Sequence, residues 1–153
     1  MLANNEFKEA MSLIPTSVAV AWLTNDQHEI LGCTISSFIS ISVEQENEMI
    51  AFVLRSNSRT GLSIGKSGSF NISILGRNQS EIASIFARGL PIGELNSSIK
   101  SHPTWNEDSV CEFSLKLHQE IILSNSTIFI ADVKTFLSRP MLEPLVYSAR
   151  KYL

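Results

Sequence analysis

The stretch Gly32-Cys33-Thr34-Ile35-Ser36-Ser37-Phe38-Ile39-Ser40-Ile41-Ser42 interleaves hydroxyl side chains with apolar ones where the chain leaves an apolar run. Hydroxyls and exposed backbone N–H groups are short hydrogen-bond partners, while the Ile and Phe side chains between them offer apolar contact. That mixture suits a planar ring with one apolar end and one polar edge, such as a flavin. The same alternation also describes an edge strand. A second cluster, Ser56, Ser58, Arg59 and Thr60, sets hydroxyls and a guanidinium ahead of a segment able to form a helix. An Arg fork beside a helix N-terminus suits a phosphate, and a solvated turn with an N-cap has the same composition.

Other residues with chemistry to offer are poorly placed for it. Gly61-Leu62-Ser63-Ile64-Gly65 matches the Gly-x-Ser-x-Gly nucleophile pattern, with Asp108 and His118 following in hydrolase order. The nucleophile elbow needs a strand running straight into its first glycine. Here the polar residues 55–60 intervene, so an acyl hydrolase built on Ser63 is rejected. His28 sits by a turn and His102 in a loop, neither with a second ligand at metal spacing, so no metal site is expected. Cys33 and Cys111 have no Cys or His neighbours and read as buried thiols. Residues 44–48 alternate carboxylates and read as a solvated loop.

These clusters must be positioned by a framework, and the hydrophobic pattern supplies one. Glu6, Phe7, Ala10, Met11 and Leu13 follow helical spacing until Pro15, so residues 4–12 read as a short helix. Residues 17–24 and 29–35 are β-branched and apolar runs around Asn25-Asp26, a hairpin signal. Residues 49–54 form a strand that opens into the hydroxyl-rich loop, and residues 59–66 form a helix over it, weakened by Gly61 and Gly65. A strand over 69–75 precedes a helix capped by Asn78-Gln79-Ser80-Glu81, whose inner face is Ile82, Ile85 and Phe86. Residues 88–107, with Gly89, Pro91, Gly93 and Pro103, read as a long connection. Strands over 110–123 and 127–137 flank the tight Ser124-Asn125-Ser126, and a last short strand spans 145–148. Helices inserted between antiparallel runs, rather than alternating with parallel strands, predict a mainly β protein with about three short helices: a six- to seven-stranded antiparallel barrel.

The chain has 153 residues, 44% hydrophobic and 18% charged, enough for one domain over 1–153 with a core that needs no disulfide or metal. With 12 Lys+Arg against 15 Asp+Glu and no basic stripe, nucleic acid is excluded as a partner. The start, residues 1–10, is polar and amphipathic, without the charged-then-apolar order of a secretory signal, so the expected location is cytoplasmic. The most apolar stretch, residues 13–23, is interrupted by Pro15, Thr16 and Ser17 and is too short to span a bilayer, so no membrane segment is expected.

At both clusters the sequence resembles the short-chain flavin reductase family, FMN-binding Greek-key split barrels that often serve two-component monooxygenases. An N-terminal strand motif is met by Pro15-Thr16-Ser17-Val18-Ala19-Val20, and the Gly-x-Thr-x-Ser-Ser-x-x-Ser-x-Ser signature by Gly32 through Ser42. The family's Ser-x-Thr falls on Ser58-Arg59-Thr60, and its Phe-x-x-x-x-Leu strand on Phe70 to Leu75. Its Phe-Ala helix end falls on Phe86-Ala87 and its closing Pro-Leu-x-Tyr on Pro144-Leu145-Val146-Tyr147.

The resemblance implies that Thr34, Ile35, Ser36 and Ser37 contact the isoalloxazine ring, and that Ser56, Ser58, Arg59 and Thr60 hold the phosphate of FMN, with FAD as the other flavin of the family. It implies a homodimer and hydride transfer from NAD(P)H, the protein positioning the rings without a catalytic acid or base. Two departures stand out. Where the family has Gly-Asp-His before Thr-Ile-Phe, this chain has Ser124-Asn125-Ser126, so Ser126 occupies the nicotinamide side in place of an imidazole. The family's Pro pair is absent from residues 43–48. Two readings therefore remain: an NAD(P)H:flavin oxidoreductase, as a monooxygenase's reductase component, or an FMN-binding electron carrier or sensor of the same fold.

Overall fold

The computed structural model describes residues 4–153, so the first three residues of the polar start lie outside it. In chain order the elements are α1 (Asn4–Ser12), β1 (Thr16–Ser17), β2 (Ala19–Thr24), β3 (Ile30–Ile35), β4 (Ile39–Glu44), β5 (Asn47–Arg55), α2 (Arg59–Ser67) and β6 (Ser69–Ile74). They continue with α3 (Ser80–Ala87), α4 (Ile92–Ile99), β7 (Cys111–Ile122), β8 (Ser126–Ser138), β9 (Val146–Ser148) and β10 (Lys151–Tyr152).

Seven strands form one antiparallel sheet in the order β3-β2-β6-β7-β8-β5-β4. The sheet curls until its β3 side meets β5, where the Ser37 hydroxyl accepts from the Val53 N–H at 2.9 Å and donates to the Val53 carbonyl at 3.1 Å. Six strands thus enclose the core and β4 hangs outside the closure as an edge, the predicted split barrel. A small antiparallel sheet, β1-β9-β10, pairs Thr16 with Tyr147 across one end.

The barrel interior holds Phe52, Phe70, Ile72, Leu115 and Phe129, with Phe52 and Phe129 stacked at 5.2 Å between centroids. Such a pair adds about 1 kcal/mol beyond its area burial. α2 plugs one mouth: Ile64 is fully buried in this core, and a Cβ at Gly61 would sit 3.1 Å from the Phe129 ring. β2 is apolar without alternation because both its faces are covered. Ala19, Ala21 and Leu23 face the barrel interior, while Val20 and Trp22 face a second core built from α3, α4 and Trp105. Gly32 makes that second layer possible, since a Cβ there would lie 2.8 Å from the Ala21 carbonyl oxygen and 3.0 Å from the Phe86 ring.

Several expectations need correction. The connection over 88–107 contains α4, anchored by Asn96, whose side chain accepts from the Ile30 N–H at 2.8 Å and donates to the Ile30 carbonyl at 2.9 Å. There are accordingly four helices among the described residues, not three. The solvated loop over 44–48 is the tip of the β4–β5 hairpin, with Glu46 at φ 65°. Gln79 does not cap α3 with its side chain; it accepts from the Gly76 N–H at 2.8 Å and donates to the Trp105 carbonyl, tying loops together instead. Cys33 and Cys111 are only half-buried. Among the described residues the apolar stripe of α1 contains no buried side chain, leaving Phe7 and Met11 exposed. No helix among the described residues is long and apolar enough to cross a membrane.

Candidate functional site at the barrel seam

The two hydroxyl clusters, 21 positions apart at Ser37 and Ser58, lie on either side of the seam where β3 meets β5. β3 delivers Cys33 to Ile35 with alternating direction, because successive strand side chains point to opposite faces. Thr34, paired with Val20, faces the helical layer, and its hydroxyl donates to the Ala83 carbonyl at 2.6 Å. Ile35 faces the barrel interior and is buried in its core. A ligand at this position therefore meets backbone rather than the side chains of Thr34 and Ile35. Ser36 is exposed, its hydroxyl without a partner among the described residues, whereas the Ser37 hydroxyl is engaged with Val53.

Beyond β5 the chain turns sharply, with the Ser58 N–H on the Arg55 carbonyl at 2.9 Å, and starts α2. Ser58 is the N-cap: its hydroxyl accepts from the Gly61 N–H at 3.2 Å, and its carbonyl from the Leu62 N–H at 2.9 Å. The N–H groups of Arg59 and Thr60, in the first turn, meet no acceptor among the described residues. Unpaired N–H groups at the positive end of a helix dipole are what a phosphate needs. No carboxylate occurs in residues 55–60 to oppose it. Ser56 is held from the other side, its N–H on the Asn125 carbonyl at 3.2 Å and its hydroxyl 3.3 Å from that of Thr127.

Two members of this cluster do other work. Thr60 is buried, and its hydroxyl, like that of Ser58, lies against the Cys33 thiol. Cys33, next to Thr34 in β3, thus lies near two hydroxyls of the second cluster. Burial pushes its pKa above the ordinary 9.0, the hydroxyl contacts pulling the other way by less. Arg59 extends along the surface to the α3–α4 connection, where its guanidinium donates to the Gly89 carbonyl at 3.2 Å and to the Leu90 carbonyl. Gly89 has φ 64°, a left-handed turn that residues other than glycine adopt rarely.

Ser126, on the expected nicotinamide side, opens β8 directly opposite Arg55 of β5. These two strands and the turn between β7 and β8 enclose a cleft of about 540 Å³ lined by Arg55, Ser56, Asn57, Ser124, Asn125 and Ser126. The structure therefore sets Ser36 and Ser37 on one side of the seam and Ser56, Ser58, Arg59, Thr60 and Ser126 on the β5–α2 side, while the side chains of Thr34 and Ile35 turn away. It also shows what sequence reasoning missed: Cys33 as the neighbour of Ser58 and Thr60, and the α3–α4 connection as the partner of Arg59. Neither has a local signal, since both are contacts across the fold.

The Gly61–Gly65 motif lies wholly within α2, so Ser63 is not on an elbow. His118 Nδ1 is 3.3 Å from Asp132 Oδ1, and no hydrogen bond joins it to Ser63 among the described residues. His102 is half-buried, 3.7 Å from Glu81.

The family profile described as "Flavin reductase like domain" matches residues 11–153. The chain belongs to this family. The flavin reductase-like domain is 26% identical over 156 residues to the NADH-dependent flavin reductase StyB of Pseudomonas fluorescens, covering 95% of this chain and 86% of that protein. It is 32% identical over 83 residues to the NADH-dependent FMN reductase AsuE2 of Streptomyces nodosus subsp. asukaensis, covering 54% of this chain and 43% of that protein. Its fold matches that of BorF, the flavin reductase component of a bacterial two-component tryptophan halogenase, with a TM-score of 0.85 at 20% identity, covering 99% of this chain and 97% of the other.

Proposed function

We propose that this domain is an NADH-dependent flavin reductase that binds FMN at the β3–β5 seam, with FAD as the alternative flavin and NADPH as the alternative donor. The observation that carries the reading is the meeting of the two clusters at that seam, one offering the Ser36 hydroxyl and exposed backbone, the other unpaired helix N–H groups free of nearby carboxylates. These residues fit a flavin: the backbone of residues 34–37 and Ser36 would meet the ring, while the first turn of α2 with Ser56 and Ser58 would hold the phosphate, and Arg59 would brace that turn against the α3–α4 connection. Thr60 supports the loop from beneath through Cys33. A bound flavin supplies a two-electron acceptor for hydride from reduced nicotinamide. The chain's part is to fix the ring, keep water from its face and seat the donor on the Ser126 side. The relative StyB, which aligns over most of this chain, is an NADH-dependent flavin reductase by name.

The reading includes a cytoplasmic homodimer, a single domain over 1–153 and a partner oxygenase that consumes the reduced flavin. Supporting the dimer is the apolar face around β4, where Ile39, Ile41 and Val43 are exposed beside a cleft of about 290 Å³ lined by Phe38, Phe113 and Phe136. Its test is the solution mass. Replacement of the family's His by Ser126 favours a second reading, a flavin carrier or sensor that no pyridine nucleotide reduces. An absorption titration with FMN, followed by anaerobic NADH and then NADPH, separates them. Binding and bleaching support the reductase; binding without bleaching supports the carrier; no binding removes both.

A further inference from the structure

Two guanidiniums, Arg55 and Arg59, flank the turn into α2, and the fold sends them to different tasks. Arg59 is spent on the Gly89 and Leu90 carbonyls. Arg55 is exposed on the outward face of β5, forms no ion pair and donates no side-chain hydrogen bond among the described residues. Its antiparallel partner is Ser126, so the two side chains share one face of the β5–β8 ladder.

Among the described residues, the cleft they share is lined by Arg55, Ser56, Asn57, Ser124, Asn125 and Ser126. Its walls carry one cation, no carboxylate, and hydroxyl and amide groups that donate without charge. It is too polar for the ring of a flavin and continuous, through Ser56, with the phosphate loop. A cleft of this composition suits an anion, and a guanidinium fork binds phosphate oxygens in pairs. Since the nicotinamide is expected at Ser126, the rest of the donor must cross this cleft, and its pyrophosphate is the anion it carries.

We propose that Arg55, with Ser124, Asn125 and Ser126, holds the pyrophosphate of the dinucleotide hydride donor and makes this cleft the donor's anion-binding subsite. The proposal rests on the reductase reading. It also explains how a chain without the family's imidazole retains a donor: binding energy moves from the nicotinamide end to the pyrophosphate.

The test compares wild type with Arg55→Ala and Arg55→Lys in three measurements. FMN titration checks that the fold and flavin site persist. Steady-state kinetics with NADH should show KM raised about tenfold or more in Arg55→Ala, with partial rescue in Arg55→Lys and a much smaller effect on kcat. The phosphate-free donor 1-benzyl-1,4-dihydronicotinamide should show a change of less than about twofold in kcat/KM, against about tenfold for NADH. An equal loss with both donors, no change with NADH, or an FMN affinity that falls in step would overturn the proposal. If no donor reduces flavin in the wild type, the reductase reading fails, and calorimetric titration with ADP-ribose then decides. Binding that disappears in Arg55→Ala upholds the pyrophosphate subsite; no binding, or equal binding, removes it.

Discussion

Ser37 and Val53 close the barrel: one hydroxyl both accepts from the Val53 N–H and donates to its carbonyl, standing in for a strand ladder between β3 and β5. A serine here gives the seam its join and leaves room beside it for Ser36. Ser37→Ala removes both bonds and should cost about 1–2 kcal/mol, lowering Tm by roughly 2–4 °C per kcal/mol. Because the seam borders the proposed ring site, FMN affinity should fall with it, whereas Ser40→Ala on the β4 edge should move neither. Thermal melts with flavin titrations check both; a Ser37→Ala protein with unchanged Tm and affinity would show that the seam is held elsewhere.

Gly32 lies between the Ala21 carbonyl and the Phe86 ring with no room for a methyl group. Two of its close neighbours belong to β2, where the ladder leaves little freedom to retreat. Gly32→Ala should therefore destabilise the fold by about 1–3 kcal/mol through overpacking, measured by denaturant unfolding. The smaller side chain in the double variant Gly32→Ala/Phe86→Leu should recover part of the loss.

Arg59 donates from one terminal guanidinium nitrogen, Nη2, to two backbone carbonyls, and a lysine ammonium, on a shorter stem, does not extend as far. Arg59→Lys should weaken FMN binding nearly as much as Arg59→Ala, about tenfold, by freeing the α3–α4 connection. Faster amide exchange across residues 88–91 in both variants would locate the effect. Unaltered exchange with weakened FMN binding would place Arg59 on the phosphate alone.

Burial raises the Cys33 pKa above 9.0, so in the folded state the neutral thiol is favoured. Below the unfolded thiol's pKa neither state ionises, and the stability contribution is fully present. As pH rises from 9.0 through the folded value, the unfolded chain loses its proton first and that contribution is lost. Denaturant unfolding from pH 8 upward should show a steeper alkaline decline in wild type than in Cys33→Ser. Parallel profiles would mean that the thiol ionises equally in both states. Iodoacetamide should also modify Cys33 slowly at neutral pH, and faster after Ser58→Ala loosens the loop above it.

Ala149 and Arg150 join β9 to β10 with φ of 49° and 62°, both left-handed. Such a two-residue turn favours Asn-Gly, since side chains beyond Cβ are strained there. Ala149→Asn/Arg150→Gly should raise stability by about 0.5–1 kcal/mol, seen as a higher Tm with flavin binding unchanged. A lower Tm would mean that contacts of the Arg150 side chain outweigh the backbone strain.

Much of this protein was legible from local pattern. β2, β3 and β5 through β8 follow from runs and turns read within a dozen residues, and the inner face of α3 from a spacing of three and four. The two site clusters stood out because their hydroxyls are concentrated where strands end. α4 carried a usable signal in Ile92, Leu95 and Ile99, masked by the Pro and Gly around it. β4 carried a signal shared by two readings, because its alternation of serine with isoleucine describes both a ligand-binding segment and an edge strand, and the ladder with β5 shows the strand. Tertiary structure alone decided where the functional groups point. Thr34 turns to Ala83, Thr60 to Cys33 and Arg59 to Leu90 because each meets an element remote in sequence. Residue types and strand periods are local properties, so one chain displays them. The direction in which a polar side chain finds its partner depends on which distant segment covers that face, and only the closed barrel supplies it.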